Sequence, residues 1–324
     1  MNITCTGGAG FIGSHLVDRL LAADHTVAIF DNMGRGQNLP APGQWTLCQQ
    51  NLLRPWYDWQ YAMRGDVVFH LAAKVTGIEF NRFHHYDMQH TNEMINLNVM
   101  EAVRRARPMP KLFIFTSTAC IYSPDAPVPT PESAGEIGDP EKSNWGYGVA
   151  KWSGEQLAKS LCREYGIATI IVRFWNAFGP RDHYDDESSH VAPALIKRVL
   201  DGENPVVVWG SGEQTRALVD ARDIATALVK LMDWGIEHAP IEPVIVNIGH
   251  EREVSIRELA ETIVRLSGKA PVLRFDTTKP DGYPRRAADT TRLRQMIGWV
   301  PDMPLEQTLR DMIYEYQGQS LDWV

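Results

Sequence analysis

Along the first half of the chain, short apolar runs alternate with longer stretches in which apolar residues recur every three or four positions. Residues 3–6, 26–30, 67–71, 112–115 and 168–172 read as strands, the last β-branched and ended by Arg173. Between them, 14–22 carries Leu16, Leu20 and Leu21 on one side of a helix. Residues 92–107 repeat helically at Ile95, Val99 and Val103, and 145–165 reads as a third helix. The two periods differ because side chains recur every 3.6 residues on a helix and every two on a strand. Strands that alternate with helices predict an α/β fold with a doubly wound parallel sheet covered on both faces.

After Phe178 the rhythm changes. Residues 179–189 predict a long loop. A helix (191–200), a short strand (206–208), a helix (223–232) and a strand (244–247) follow. Helices at 256–267 and 305–317 then flank a Pro- and Arg-rich segment. There is no internal repeat and no low-complexity linker. The expected division is a sheet domain from 1–175 and 221–250, with a smaller interleaved domain from 176–220 and 251–324.

Composition narrows the classes. The 324 residues are 44% hydrophobic with 25 Gly and 20 Pro, which excludes a disordered, collagenous or disulfide-scaffold protein. A net charge of −8 argues against a general nucleic-acid or anionic-membrane binder, so an anionic ligand would need a local basic patch. No apolar run reaches the ~18–20 residues of a membrane span. The N-terminus shows no basic and apolar leader. Cys5, Cys48, Cys120 and Cys162 are widely spaced with no metal-ligand pattern. These features predict a cytoplasmic protein without a metal site.

The clearest local chemistry is Gly7-Gly8-Ala9-Gly10-Phe11-Ile12-Gly13, with glycines at i, i+3 and i+6 between the first strand and first helix. Such a turn brings backbone N–H groups and a helix N-terminus against a pyrophosphate, the fingerprint of dinucleotide binding. Asp31 follows the second strand, 18 residues after Gly13. A carboxylate there accepts from a ribose 2′-hydroxyl and repels a 2′-phosphate, which favours NAD over NADP, although Arg35 nearby could pair with a phosphate. Asp31-Asn32 is equally good turn chemistry.

Tyr147 and Lys151 lie four apart on a predicted helix and share a face. A phenol is a poor base at pH 7 unless a neighbouring ammonium favours the phenolate. So tuned, it can take the proton of a sugar hydroxyl while a hydride leaves the carbon. Thr118, just past a strand, can hydrogen-bond the same hydroxyl.

With these pieces the chain resembles the extended short-chain dehydrogenase/reductases of the nucleotide-sugar epimerase, dehydratase and reductase type. The resemblance runs nearly end to end. It takes in the glycine turn, His70-Leu71-Ala72-Ala73, Thr118, Tyr147 with Lys151, Arg173-Phe174-Trp175-Asn176-Ala177-Phe178-Gly179-Pro180, and Arg285. It implies a Rossmann fold, a nucleotide-diphospho-sugar substrate and a homodimer formed through the helices near 92–107 and 145–165. Tyr147 would be the catalytic base, Lys151 its tuner and ribose anchor, and Thr118 the group that positions the hydroxyl. Gly7, Gly10, Phe11, Ile12, Gly13, Asp31, Asn32, Leu71, Ala72 and Ala73 would hold the cofactor. Asn176 and Arg285 would meet the diphosphate. Arg198, Trp209 and Arg216 would meet the nucleotide end, Trp209 suiting either base stacking or packing. Lys74 and Gly77 would flank the substrate.

Two branches are most similar. Thr118-Ala119-Cys120-Ile121-Tyr122 resembles both the GDP-mannose 3,5-epimerases and the GDP-fucose synthases, which place an acid–base cysteine there. Residues 77–80 and 92–102 resemble the former; 189–195, 206–212 and 279–285 resemble the latter. The resemblance to the synthases implies that His190 is a second acid–base group. The glycine turn with Asp31 resembles the NAD-retaining epimerases. Together these imply an NAD-dependent epimerase, GDP-sugar preferred, that oxidises C4 transiently and exchanges protons at C3 or C5. The alternatives are a UDP-sugar 4-epimerase and an NADPH-dependent 4-keto-sugar epimerase/reductase.

Overall fold

The computed structural model describes residues 1–60, 63–136, 139–185, 189–279 and 282–319. Part of the predicted 179–189 loop (186–188), together with Pro280 and Asp281 of the 279–285 segment, lies outside the described residues. The elements run in order β1 (Asn2–Thr6), α1 (Phe11–Ala22), β2 (Thr26–Asp31), β3 (Trp45–Gln49), β4 (Val67–His70), α2 (Ile78–Phe83), α3 (His85–Arg105), β5 (Leu112–Thr118), α4 (Trp145–Tyr165) and β6 (Ala168–Phe174). Then come β7 (Ala177–Phe178), α5 (Val191–Leu200), β8 (Val206–Trp209), β9 (Thr215–Arg216), β10 (Val219–Asp220), α6 (Ala221–His238) and β11 (Val244–Ile248). The chain continues through β12 (Val254–Ser255), α7 (Ile256–Ser267), β13 (Leu273–Asp276), β14 (Arg285–Arg286), α8 (Thr291–Ile297) and α9 (Leu305–Tyr316).

Seven strands form one sheet in the order β11-β6-β5-β4-β1-β2-β3, every pair parallel. The order reverses between β1 and β4, where the strands' carboxyl ends open a crevice. Strand interiors are apolar on both faces because helices cover both. Leu16, Leu20, Ile224 and Leu228 of α1 and α6 bury one face, and Val99, Val103, Ala158 and Leu161 of α3 and α4 bury the other. A third apolar cluster, including Leu195, Ile196, Val206, Leu259 and Leu309, joins α5, β8, α7 and α9 beside the sheet. The fold is therefore Rossmann-like.

Three departures from the predicted elements have physical reasons. β3 is the edge strand, and its mixed Trp45-Thr46-Leu47-Cys48-Gln49 pattern carries little apolar contrast. The helix predicted at 92–107 begins at His85, because its first turns are polar and exposed, Tyr86 at 77%, and carry little apolar period. The helix predicted at 223–232 extends over Ala221–His238, N-capped by the Asp220 carboxylate, which accepts from the Arg222 N–H at 2.7 Å.

Candidate active site

The glycine turn folds by backbone contacts that exclude side chains. A Cβ on Gly13 would lie 2.1 Å from the Gly7 carbonyl oxygen, and one on Gly7, at φ +71°, would lie 2.7 Å from the Ala72 nitrogen. Gly10 is the N-cap of α1 and caps it with no side chain, so the first turn of the helix meets a ligand through bare backbone. Phe11 and Ile12, partly exposed, begin that turn. Leu71 and Ala72 close the cradle from the end of β4: the Leu71 N–H donates to the Thr6 carbonyl at 3.0 Å, and the Ala72 N–H to Thr6 Oγ1 at 3.3 Å. Ala73 follows on the same loop.

Asp31 ends β2 and is 8% exposed. Its Oδ2 accepts from the Ala9 N–H at 3.1 Å and its Oδ1 from the Met33 N–H at 2.9 Å. Burial pushes its carboxyl up, against the pull of these N–H donors. Asn32 caps the same turn by accepting from the Gly34 N–H at 2.9 Å. Residues 34–38 then fold back over the glycine turn, where a Cβ on Gly36 would lie 2.3 Å from the Ala9 oxygen. Arg35 donates to the Val75 carbonyl and so crosses the crevice from β2 to β4. These features fit a dinucleotide: a cradle that any Cβ would fill, an uncapped helix start and a carboxylate at the end of β2.

A buried histidine braces the cradle. His70 Nδ1 lies 2.7 Å from Thr6 Oγ1 and Nε2 lies 3.1 Å from Asn96 Oδ1, while Asn96 Nδ2 donates to the Ala150 carbonyl at 3.2 Å. This chain links β1, β4, α3 and α4. Burial holds the imidazole down to about 3, so it is neutral.

Thr118, Cys120, Tyr147 and Lys151 come together where β5 meets α4. Thr118 Oγ1 accepts from the Cys120 N–H at 3.2 Å and caps a single 3-10 turn over Ala119–Ile121. The first turn of α4 packs on this turn, and a Cβ on Gly148 would lie 2.7 Å from the Cys120 oxygen. Lys151 is 2% exposed, and its Nζ donates to the Thr116 carbonyl at 2.8 Å and stands 5.9 Å from the Tyr147 ring centroid. Burial holds the ammonium down to about 7. Tyr147 is pushed above the ordinary phenol range, first by burial and then by the nearby Cys120.

Two groups that the motifs did not single out complete this corner. Arg286 pairs with Glu141 and donates from Nη2 to the Ala119 carbonyl at 3.1 Å. Glu141, 3% exposed, sends its own N–H to the Cys120 carbonyl at 3.0 Å. The Cys120 thiol is pushed up to about 11, first by burial and then by Glu141, against the pull of Arg286. Arg286 was within reach of the sequence argument, one residue from Arg285. Successive residues of a strand face opposite ways, so the two arginines of β14 part company. Arg285 turns outward to Glu253, with Nη2 at 2.5 Å from Oε1, and Arg286 turns inward.

The remaining candidate residues lie on other elements, each with partners of its own. His190 caps α5; its Nδ1 lies 3.2 Å from Oδ2 of the buried Asp182, and its ring is 46% exposed. Burial lowers that imidazole, but the Asp182 carboxylate outweighs it, so its affinity for a proton lies above the ordinary range. Asn176 stands at φ +35°, its Nδ2 donating to the Ala217 carbonyl at 3.1 Å. Arg216 pairs in register with Arg286 and donates to the Tyr283 carbonyl at 2.8 Å. Burial lowers Arg216 to about 10. Arg198 is committed to Glu203, 2.7 Å from Nε, and to the Val207 carbonyl. Trp209 is half exposed under Lys279. Lys74 exchanges backbone bonds with Asn92, and its Nζ lies 5.2 Å from the Phe80 ring; Gly77 caps α2. Among the described residues no cluster of His, Cys, Asp or Glu could hold a metal ion, and no helix is long and apolar enough to cross a membrane.

Residues 3–249 match the model of the NAD dependent epimerase/dehydratase family. The chain belongs to this family. It is 36% identical over 269 residues to the GDP-L-fucose synthase of Escherichia coli strain K12, covering 80% of this chain and 83% of that relative. Among solved structures it is similar to the UDP-glucose 4-epimerase of Thermotoga maritima with UDP-glucose, with a TM-score of 0.85, 29% identity and coverage of 98% and 99%. It is also similar to the UDP-glucuronic acid 4-epimerase of Bacillus cereus in complex with UDP-glucuronic acid and NAD, with a TM-score of 0.82, 26% identity and coverage of 98% and 100%. As a family member, this chain is an enzyme that acts on nucleotide sugars.

Proposed function

We propose that this family member is an NAD-dependent epimerase of a nucleotide-diphospho-sugar, GDP-sugar preferred, which oxidises C4 transiently and exchanges protons at C3 or C5. The observation that carries the reading is the packing of the Cys120 turn, capped by Thr118, against the first turn of α4, which carries Tyr147.

NAD, when bound, would supply a reversible hydride acceptor for C4. Tyr147 takes the C4 hydroxyl proton. In this dry corner the Lys151 ammonium stabilises the resulting phenolate far more than it would in water. Thr118 holds the hydroxyl in line. With C4 a ketone, the hydrogens on C3 and C5 become acidic. Inversion needs a base on one face and an acid on the other. Cys120, held as the thiol, is the proton donor. His190, oriented by Asp182, is its counterpart. Gly7, Gly10, Gly13, Asp31 and the 71–73 loop hold the dinucleotide, and the carboxylate at Asp31 disfavours a 2′-phosphate. Asn176 and Arg285 serve the diphosphate, Arg198, Trp209 and Arg216 the nucleotide end, and Lys74 and Gly77 flank the substrate. The substrate side is assigned to 176–220 and 251–324. A homodimer through α3 and α4 would cover their half-exposed Leu97 and Trp152.

A second reading, a 4-keto-sugar epimerase/reductase that consumes NADPH, is favoured by the fucose-synthase relative and by Arg35 beside the Asp31 loop. The two part on cofactor bookkeeping: the epimerase shows no net loss of nicotinamide absorbance during turnover, and the reductase consumes one NADPH per product. Cys120→Ser should abolish proton exchange in either and would leave a plain 4-epimerase nearly intact.

A further inference from the structure

Glu141 and Arg286 form an ion pair in the wall of a small open cleft, with Tyr122, Trp175, Tyr283 and Arg285 around them. A buried carboxylate and a largely buried guanidinium are expensive to desolvate, and the guanidinium also lies over the Trp175 and Tyr283 rings. Both partners are tied to one short segment of chain. Arg286 donates to the carbonyl of Ala119, and the Glu141 N–H donates to the carbonyl of Cys120. The pair therefore holds the backbone of the Cys120 turn at two consecutive carbonyls and sets the guanidinium's charge beside that turn.

We propose that Arg286 is a positioning residue for Cys120: its guanidinium, held in place by Glu141, stabilises the thiolate that remains when Cys120 has given its proton to the substrate carbon. In that step the S–H bond breaks with its electron pair left on sulfur. The C–H bond forms from the electron pair of the enolate beside the C4 ketone. The thiolate later regains a proton from solvent. Glu141 sets the balance, because its negative charge keeps the sulfur protonated between turnovers. The inference rests on the acid–base role of Cys120.

The groups facing Cys120 come from three segments: Tyr147 from α4, Glu141 from the chain before α4, and Arg286 and Tyr283 from the β14 segment, with Arg216 behind Arg286. Of these, Arg286 is the cation in contact with the Cys120 turn. The thiol's displacement to about 11 shows that in the resting protein burial and Glu141 outweigh Arg286. This suits a proton donor that needs its cation only after transfer.

The test is the pH profile of iodoacetamide alkylation at Cys120, read by mass spectrometry of its peptide in the full-length protein. Arg286→Gln should move the profile to higher pH and slow alkylation at fixed pH by about tenfold, with Arg286→Lys moving it less. Glu141→Gln should move it the opposite way and speed alkylation. An Arg286→Gln profile that overlays the wild type overturns the proposal. If that variant does not fold, Glu141→Gln decides alone: an unchanged profile, or one moved to higher pH, overturns it. The role of Cys120 is judged separately. Deuterium exchange that persists in Cys120→Ser removes that role without altering the alkylation result.

Discussion

Lys151 Nζ donates to the carbonyl of Thr116 at 2.8 Å, so the ammonium is anchored to β5 two residues before Thr118. The anchor fixes the cation beside Tyr147, but it buries a charge with little compensation. Its proton affinity falls from the ordinary 10.5 to about 7, chiefly by burial. Between these values the unfolded chain binds the proton that the folded chain releases, so this group's contribution to stability rises with pH. Lys151→Met should therefore be more stable than the wild type by roughly 2–4 kcal/mol near pH 7, and lose that advantage near pH 10. Its activity should fall by at least about a hundredfold. Thermal melts of the ligand-free proteins at pH 7 and 10 check the first part. A variant less stable than the wild type at pH 7 would contradict the assignment of Lys151 as a functional, stability-lowering cation.

His15 and His70 are both buried and held neutral, at about 4 and about 3. His15 Nε2 meets the Pro180 carbonyl at 2.9 Å, and His70 bridges Thr6 and Asn96. Each imidazole takes a proton on unfolding near 6.5, so stability is full above that value and drains as pH falls below it. Near pH 5 the pair should steepen the loss by about 2.7 kcal/mol per pH unit. Urea unfolding from pH 7 to 4.5 measures the slope. Combining His15→Gln with His70→Gln should remove most of it, and a slope unaltered in that double variant would refute the account.

At Asp31 two backbone N–H groups converge on one carboxylate, one of them from Ala9 inside the glycine turn. Asp31→Asn keeps the shape but replaces an ionised acceptor. NAD should bind about tenfold more weakly, and the preference over NADP should narrow. Quenching of tryptophan fluorescence during cofactor titration reports both. Equal NAD affinity in the variant would show that Asp31 serves only the turn.

The sheet and its helices were legible because their interiors carry the two periodicities undiluted. Val67–His70 is buried at every position, and α4 shows its Tyr147–Lys151 face by spacing alone. β3 escaped because an edge strand has one open side. The site was legible wherever chemistry is local in sequence: the glycine turn, Asp31, and the Tyr147–Lys151 pair. It was illegible where function comes from a long-range encounter. Glu141 and Arg286 are 145 residues apart and meet only because β14 pairs with β9 and turns alternate side chains inward. Asp182 was hidden similarly, in a loop whose polar residues look alike until His190 packs against one of them.

Proton exchange at a ring carbon next to a transient C4 ketone is tested most directly by proton NMR of turnover in D₂O. With a panel of nucleotide-diphospho-sugars that includes GDP-mannose, deuterium should enter C3 or C5 of an inverted product with no net change in nicotinamide absorbance. Cys120→Ser should lose the label. Product inverted at C4 with no deuterium at C3 or C5 would contradict the account.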